Sequence, residues 1–549
     1  MKKILRTAQL LLVAALPATA VAQSAVDAYN LAPTELRGTA RFMAMGGAFT
    51  ALGGDLSSLT QNPAGIGVYR GSDIGLTLDL SFLTNKTADI PRTASVSNTH
   101  FDVNNFGYVG TMNFSNDIMQ TFSWGVSYNR LKSFTREYRG GGMPVETSMS
   151  NYIALMTDGV HPDDMKFYDD YDPYQDSQIN WLSILGFSAG IINPVTITDP
   201  STNTQNIVYN GLFQYAVPGT GGNPGIPATT GTADFSVRER GYTDEYNIDF
   251  GGNLANVVYW GLGIGITDIT QERWSSYSER LQGANVPVPD SENYDIEEGN
   301  CDWQIDNWKK MSGTGVNLKF GLILKPVNEL RIGFAIHSPT WYSLTTTYQG
   351  ECSFGASNGF KGQDHTNYAN YDWNMKSPWR MMVGLAGVIG GRGILSMDYE
   401  YTATNKMTTS DSYGDFDLYN DDINTYFRSS NTLRIGGEFR VTPQFSIRAG
   451  YGFTSSSVKD DAADDKLEIY TSGTDLGYTF NKTTNRVTAG VGYRTGGFYV
   501  DLAYVYSHRN STYNCFTPFT DYDGYWTRAP KATITENASQ LALTVGYKF

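Results

Sequence analysis

Apolar and polar side chains alternate with a period of two at the carboxy-terminus. Leu541, Leu543, Val545, Tyr547 and Phe549 lie on one set of positions, and Gln540, Ala542, Thr544, Gly546 and Lys548 on the other. Successive side chains of a strand point to opposite faces, so one face here is wholly apolar and the other small or polar. The same alternation recurs along the chain. Ile74, Leu76, Leu78, Leu80 and Phe82 form one such row, and Leu395, Met397, Tyr399 and Tyr401 another. Further rows predict strands near residues 105–114, 122–134, 242–254, 260–266, 316–324, 330–336, 377–388, 433–441, 445–453, 487–493 and 500–506. The count is about fourteen. The predicted fold class is all-β, a transmembrane antiparallel β-barrel with lipid outside and a polar bore.

The connections reinforce the strands. Pro326-Val327-Asn328, Gly390-Gly391-Arg392, Thr442-Pro443-Gln444 and Thr495-Gly496-Gly497 read as tight turns. Between them stand long polar stretches, 136–241, 275–311, 347–373, 407–430, 456–484 and 509–538, which read as loops. Short links at one end and long links at the other are the habit of outer-membrane barrels.

The amino-terminus departs from this rhythm. Met1-Lys2-Lys3, an apolar run to Leu16 and Ala20-Val21-Ala22 read as a signal peptide over 1–22. Residues 23–70 are rich in glycine, show no sustained period of two and predict no stable helix; they read as a plug inside the barrel, with a periplasmic extension as the alternative. Residues 71–549 form the barrel itself.

Composition narrows the partners. The formal charge of −15 argues against nucleic acid. The 36 Tyr and 27 Phe suit aromatic girdles at the two membrane interfaces. Membrane lipid and lipopolysaccharide are expected neighbours, and Phe549 is the expected signal for the barrel-assembly machinery. Cys301, Cys352 and Cys515 fall in segments read as loops and permit one disulfide at most.

Candidate chemistry is sparse. Gly355-Ala356-Ser357-Asn358-Gly359 matches a nucleophile elbow in letters but reads as a polar loop with no strand before it and no helix after it. His100, His161, His337, His365 and His508 lack metal-ligand spacing, and the acidic run 460–465 lacks a calcium loop's glycine and terminal Glu. No cofactor, metal or catalytic residue is assigned, and the chain reads as a non-enzyme. On the inward face of the later strands stand Arg434, Glu438, Arg440, Arg448, Arg486 and Arg494. They read either as a site for a ligand carboxylate or as internal ion pairing, with Glu438 opposite Arg448 if Pro443 sets the register. Phe42, Met43, Met45 and Phe49 are apolar residues that either line a ligand pocket or pack the plug against the wall.

Asn62-Pro63-Ala64, after the glycine run 46–54 and ahead of the first strand, resembles the FadL/TodX family of outer-membrane transporters. Residues 37–42, on through Tyr69, resemble a branch of it common in Bacteroidetes. The resemblance is strongest over 36–82. It implies a fourteen-stranded barrel, an amino-terminal hatch bearing the Asn-Pro-Ala motif beside a kinked third strand, and passive lateral release of long-chain fatty acids or other hydrophobic compounds. Alternatives are a haem-binding receptor, a structural or adhesive barrel, and an outer-membrane lipase. The long stretch 136–241, which would cap the outer entrance, departs from the family pattern.

Overall fold

The computed structural model describes residues 24–114, 118–198, 204–216, 227–411, 417–521 and 524–549. The predicted leader lies outside them. Fourteen antiparallel strands close into one ring: β1 (Asp73–Ala88), β2 (Ser95–Asn113), β3 (Met119–Ser133), β4 (Thr230–Leu254), β5 (Val258–Pro287), β6 (Ile296–Val327), β7 (Leu330–His337), β8 (Arg380–Ile389), β9 (Gly393–Thr402), β10 (Ser430–Arg440), β11 (Phe445–Thr454), β12 (Tyr478–Thr495), β13 (Phe498–Asn514) and β14 (Lys531–Lys548). Each pairs with its sequence neighbours, and β14 returns to pair with β1 along its length. The Ser72 N–H donates to the Phe549 carbonyl and the Phe549 N–H to the Ser72 carbonyl, at 2.8 and 3.0 Å. A closed ring leaves no edge to solvate in lipid, where an unpaired backbone group costs several kcal/mol.

The alternation sorts as the sequence predicts. On β14 Leu541, Leu543 and Val545 are 41%, 40% and 39% exposed, while inward Ala542 and Thr544 are 0% and 1% exposed. Outward Leu262, Ile264, Ile266, Leu318, Phe320, Leu395 and Met397 continue this apolar belt round the ring. An apolar outer face on a closed, even-numbered ring defines an outer-membrane β-barrel.

Several loops prove to be folded. β5 and β6 have 30 and 32 residues, far more than a spanning strand needs, so the segment read as loop 275–311 is a hairpin with only 288–295 as its link. Beyond the membrane its outward residues turn polar while the other face stays apolar, through Tyr277, Leu281, Trp303 and Ile305. Strands Arg136–Pro144, Trp341–Ala356 and Ala369–Lys376 and helices α1 (Met149–Thr157) and α2 (Trp181–Ala189) join it in one apolar core. The outer end therefore carries a folded cap. Glu279 fixes α1 to it, accepting from Ser148 Oγ, the Met149 N–H, Tyr277 Oη and Trp303 Nε1 at 2.5–3.1 Å.

Three corrections follow. Cys301 and Cys352 lie on strands, and all three cysteines are buried and free. A strand does precede Gly355, but a turn and another strand follow it, so the nucleophile-elbow geometry is still missing. Residues 23–70 do contain helices, all short: Ala25–Leu31, capped by Ser24, then Ala40–Ala44 and Ser58–Gln61.

Candidate functional site

Residues 24–70 lie against the inward faces of strands all round the ring. Asn62 Nδ2 donates to the Thr50 carbonyl at 2.6 Å and, more weakly at 3.5 Å, to that of Leu322 on β6. Asn62 Oδ1 accepts from the Ala64 N–H. A methyl group on Gly261 would overlap Pro63, and one on Gly321 would overlap Asn62. These two glycines let the motif seat directly on the wall. Asn62, Pro63 and Ala64 thus meet β5 and β6, not the strand that departs from its neighbour, because Gly261 and Gly321 leave room for them there. Nearby Asp398 accepts from the Thr50 N–H at 2.8 Å and from Gln61 Nε2 at 3.0 Å.

The wall itself parts between β2 and β3. Their pairing runs from Asn113↔Thr121 to Asn105↔Asn129 and stops, although β2 continues back to Ser95 and β3 on to Ser133. A register shift on β1, from Thr77↔Asn105 to Leu78↔Val103, leaves Asn104 as the extra residue of a β-bulge. Asn104 and Asn105 are both buried, which breaks the alternation. Phe101 is in register with Leu80, and Leu80 with Leu541, so the window opens at the level of the apolar belt.

Charged side chains fill this window. Asp102 pairs with Arg130 on β3 at 2.7 Å, with Arg37 of the inner segment at 3.3 Å and with His100 at 3.3 Å. Arg37 also donates to Asn104 Oδ1 at 3.1 Å and pairs with Glu35 at 2.8 Å. The Glu35 N–H donates to the Leu131 carbonyl at 2.9 Å, so the inner segment occupies part of the edge that β2 vacates.

Behind the window, under the cap, lie two adjoining cavities of about 90 and 200 Å³. Both are lined by Tyr29, Glu35, Arg37, Lys132, Arg486 and Arg509. Most charges here are matched: Arg509 with Glu536, Arg380 and Arg434 with Glu400, Arg136 and Arg273 with Glu239. Glu239 sits above the apolar belt. Burial alone would raise its carboxyl, but Arg136 and Arg273 overcome that and hold it at about 2. Arg486 and Lys132 have no carboxylate partner among the described residues. Arg486 donates to Thr454 Oγ1 at 3.2 Å, and Lys132 to the Asn30 carbonyl at 2.6 Å.

The arginines predicted as one cluster are divided by the inner segment. Arg434 and Arg486 line the chamber under the cap. Glu438, Arg440, Arg448 and Arg494 line a separate cavity at the opposite mouth, where Glu438 and Arg448 pair at 2.6 Å. Their side chains share a face, but their strands run through the full height of the wall. Of the predicted pocket residues, Phe42 lines the 200 Å³ cavity. Met43, Met45 and Phe49 are wholly buried and pack with Ala40, Ala44, Leu52 and Ala503. Asp102, Asn104, Arg130 and Lys132 escaped sequence reading. The doubled asparagine inside an alternating run was the one available signal.

This geometry is that of an outer-membrane barrel with an occupied bore and a parted wall. No family model matches the chain, and no curated protein does. Among solved structures it is similar to a Pseudomonas aeruginosa FadL homologue, at 12% identity over 94% of this chain and 100% of that one, with a TM-score of 0.49. It is similar also to the P. putida toluene transporter TodX, at 13% identity over 94% and 99%, TM-score 0.46. The Ralstonia pickettii toluene transporter TbuX gives 11% identity over 94% and 99%, TM-score 0.39. The architecture rests on the strand register of this chain itself.

Proposed function

We propose that this protein passively transports hydrophobic small molecules across the outer membrane, with long-chain fatty acids as the ligand. Residues 23–70 act as the hatch, and release is sideways through the β2–β3 window. The observation that carries this reading is the parted wall at the level of the belt. An apolar chain gains about 0.8 kcal/mol per buried CH₂ and forfeits it in water, so an exit into lipid keeps the ligand apolar throughout. Arg486 and Lys132, lacking acidic partners, supply the charge for a carboxylate head. The chamber falls below the roughly 300–1,000 Å³ of ordinary ligand pockets. Binding therefore displaces residues 30–37, the same stretch that fills the window.

Uptake of labelled oleate by cells with and without the gene tests the assignment; equal uptake would refute it. Arg486→Gln should weaken oleate binding about tenfold and leave a neutral hydrocarbon unaffected. Equal loss for both ligands would remove the carboxylate from the reading.

A further inference from the structure

The cavity at the mouth opposite the cap holds about 580 Å³ and is bordered by the short turns. Seven cations line it. Arg41 and Arg448 share Glu438, Arg448 also meets Asp501, and Lys548 meets Asp73. Asp55, close by, is bonded to Thr39 and Ser57. Arg70, Arg331, Arg440 and Arg494 remain without an acidic partner among the described residues. Arg331 spends one N–H on the Leu52 carbonyl at 2.7 Å, while its Nε is buried with no acceptor. Arg494 lies over the Tyr499 ring, 5.8 Å from its centroid. In a chain of formal charge −15 this is a local reversal of sign.

Cargo does not account for it. A ligand released through the β2–β3 window never reaches this mouth, and the inner segment stands between the two. Nor do these four arginines brace the wall, since the carboxylates lining the mouth, Glu438 and Asp501, are taken by Arg41 and Arg448. Their spacing describes the partner. Arg331 is on β7, Arg440 on β10 and Arg494 on β12; at about 4.8 Å per strand the row follows roughly 24 Å of wall. A single phosphate would meet one or two of them, whereas an extended chain of carboxylates would meet them all. Arginine forks accept carboxylates two-pronged, and the tight turns leave the approach unobstructed.

We propose that this mouth docks an extended acidic segment of a periplasmic protein. Setting cargo aside rests on the transport reading, while peptide binding is measured apart from uptake, so the two can fail separately. Full-length protein in detergent, titrated with a fluorescein-labelled octaglutamate peptide, should raise its anisotropy. Binding should weaken at least about tenfold in R440E/R494E, in R440Q/R494Q, and between about 50 and about 500 mM salt. Lys466→Glu, on the cap surface, should leave it unchanged. Heat-modifiable mobility on gels confirms that each variant folds. Wild-type affinity in both folded double variants would overturn the proposal. So would tripolyphosphate binding as tightly as the peptide, which would make the mouth a small-anion site.

Discussion

Two stretches of the wall, three strands apart, hold the inner segment by different means. At β5 and β6 the inner segment seats directly on bare main chain: Pro63 rests where Gly261 has no side chain and Asn62 where Gly321 has none, and on neighbouring β7 His337 Nε2 lies 3.0 Å from the Gln61 carbonyl. At β2 and β3 apolar packing of Leu56 and Ile66 against Val109 is joined by long charged side chains and a main-chain hydrogen bond from Glu35 to Leu131. Contacts of the first kind allow no displacement without collision. The ion pairs are buried, so parting them leaves charges that a ligand head or water must meet. The segment is pinned by close packing at one stretch of wall and held by charge at the other.

The largest expected effect comes from breaking the pinned side. Gly321→Val should unseat Asn62, and conductance across a planar bilayer should rise at least about tenfold while the barrel stays folded. Unchanged conductance would mean that the motif does not hold the segment. Deleting Asn104 removes the bulge without inverting the faces of β2. Pairing with β3 should then extend past Asn105, and oleate uptake should fall about tenfold; normal uptake would place release elsewhere. Smaller is the effect of loosening the ionic side. Asp102→Asn and Arg37→Gln should each raise the ligand off-rate a few-fold, and the double variant should do no more than either. Additive effects would show that they do not share one contact.

Acid acts on the ion pairs under the cap. Glu239 is held at about 2 in the fold against an ordinary 4.5. A depressed carboxylate contributes stability that is complete above the unfolded value and is lost as pH falls toward the folded one. Melting temperature should be level from neutral pH to about 5 and drop between about 4.5 and about 2. Glu239→Gln should lower it at neutral pH and flatten that acid decline.

How much of this the chain displays depends on how many residues carry the signal. All fourteen strands are legible, because each repeats its alternation several times and glycine or proline marks the turns. The cap is not, since beyond the belt β5 and β6 present polar residues outward and Trp303 or Leu281 inward, a pattern that reads as polar loop. The window rests on one inserted residue, Asn104, and a one-residue bulge leaves almost no trace in a period of two. Arg434 and Arg440 share a face, yet six positions along a strand carry them roughly 20 Å apart, to opposite sides of the inner segment. The packing of Met43, Met45 and Phe49 depends on which alanines oppose them, which only the closed ring determines.

The hydrogen bonds between Ser72 and Phe549 have a bearing on biogenesis. The cylinder is sealed at the β1–β14 seam, and residues 24–70 lie inside it. That stretch must be threaded into position before the seam zips shut, for no later moment offers a doorway wide enough. Because β1 and β14 pair over sixteen positions, from Asp73↔Lys548 to Ala88↔Thr533, the closed seam confines its contents over the whole height of the wall.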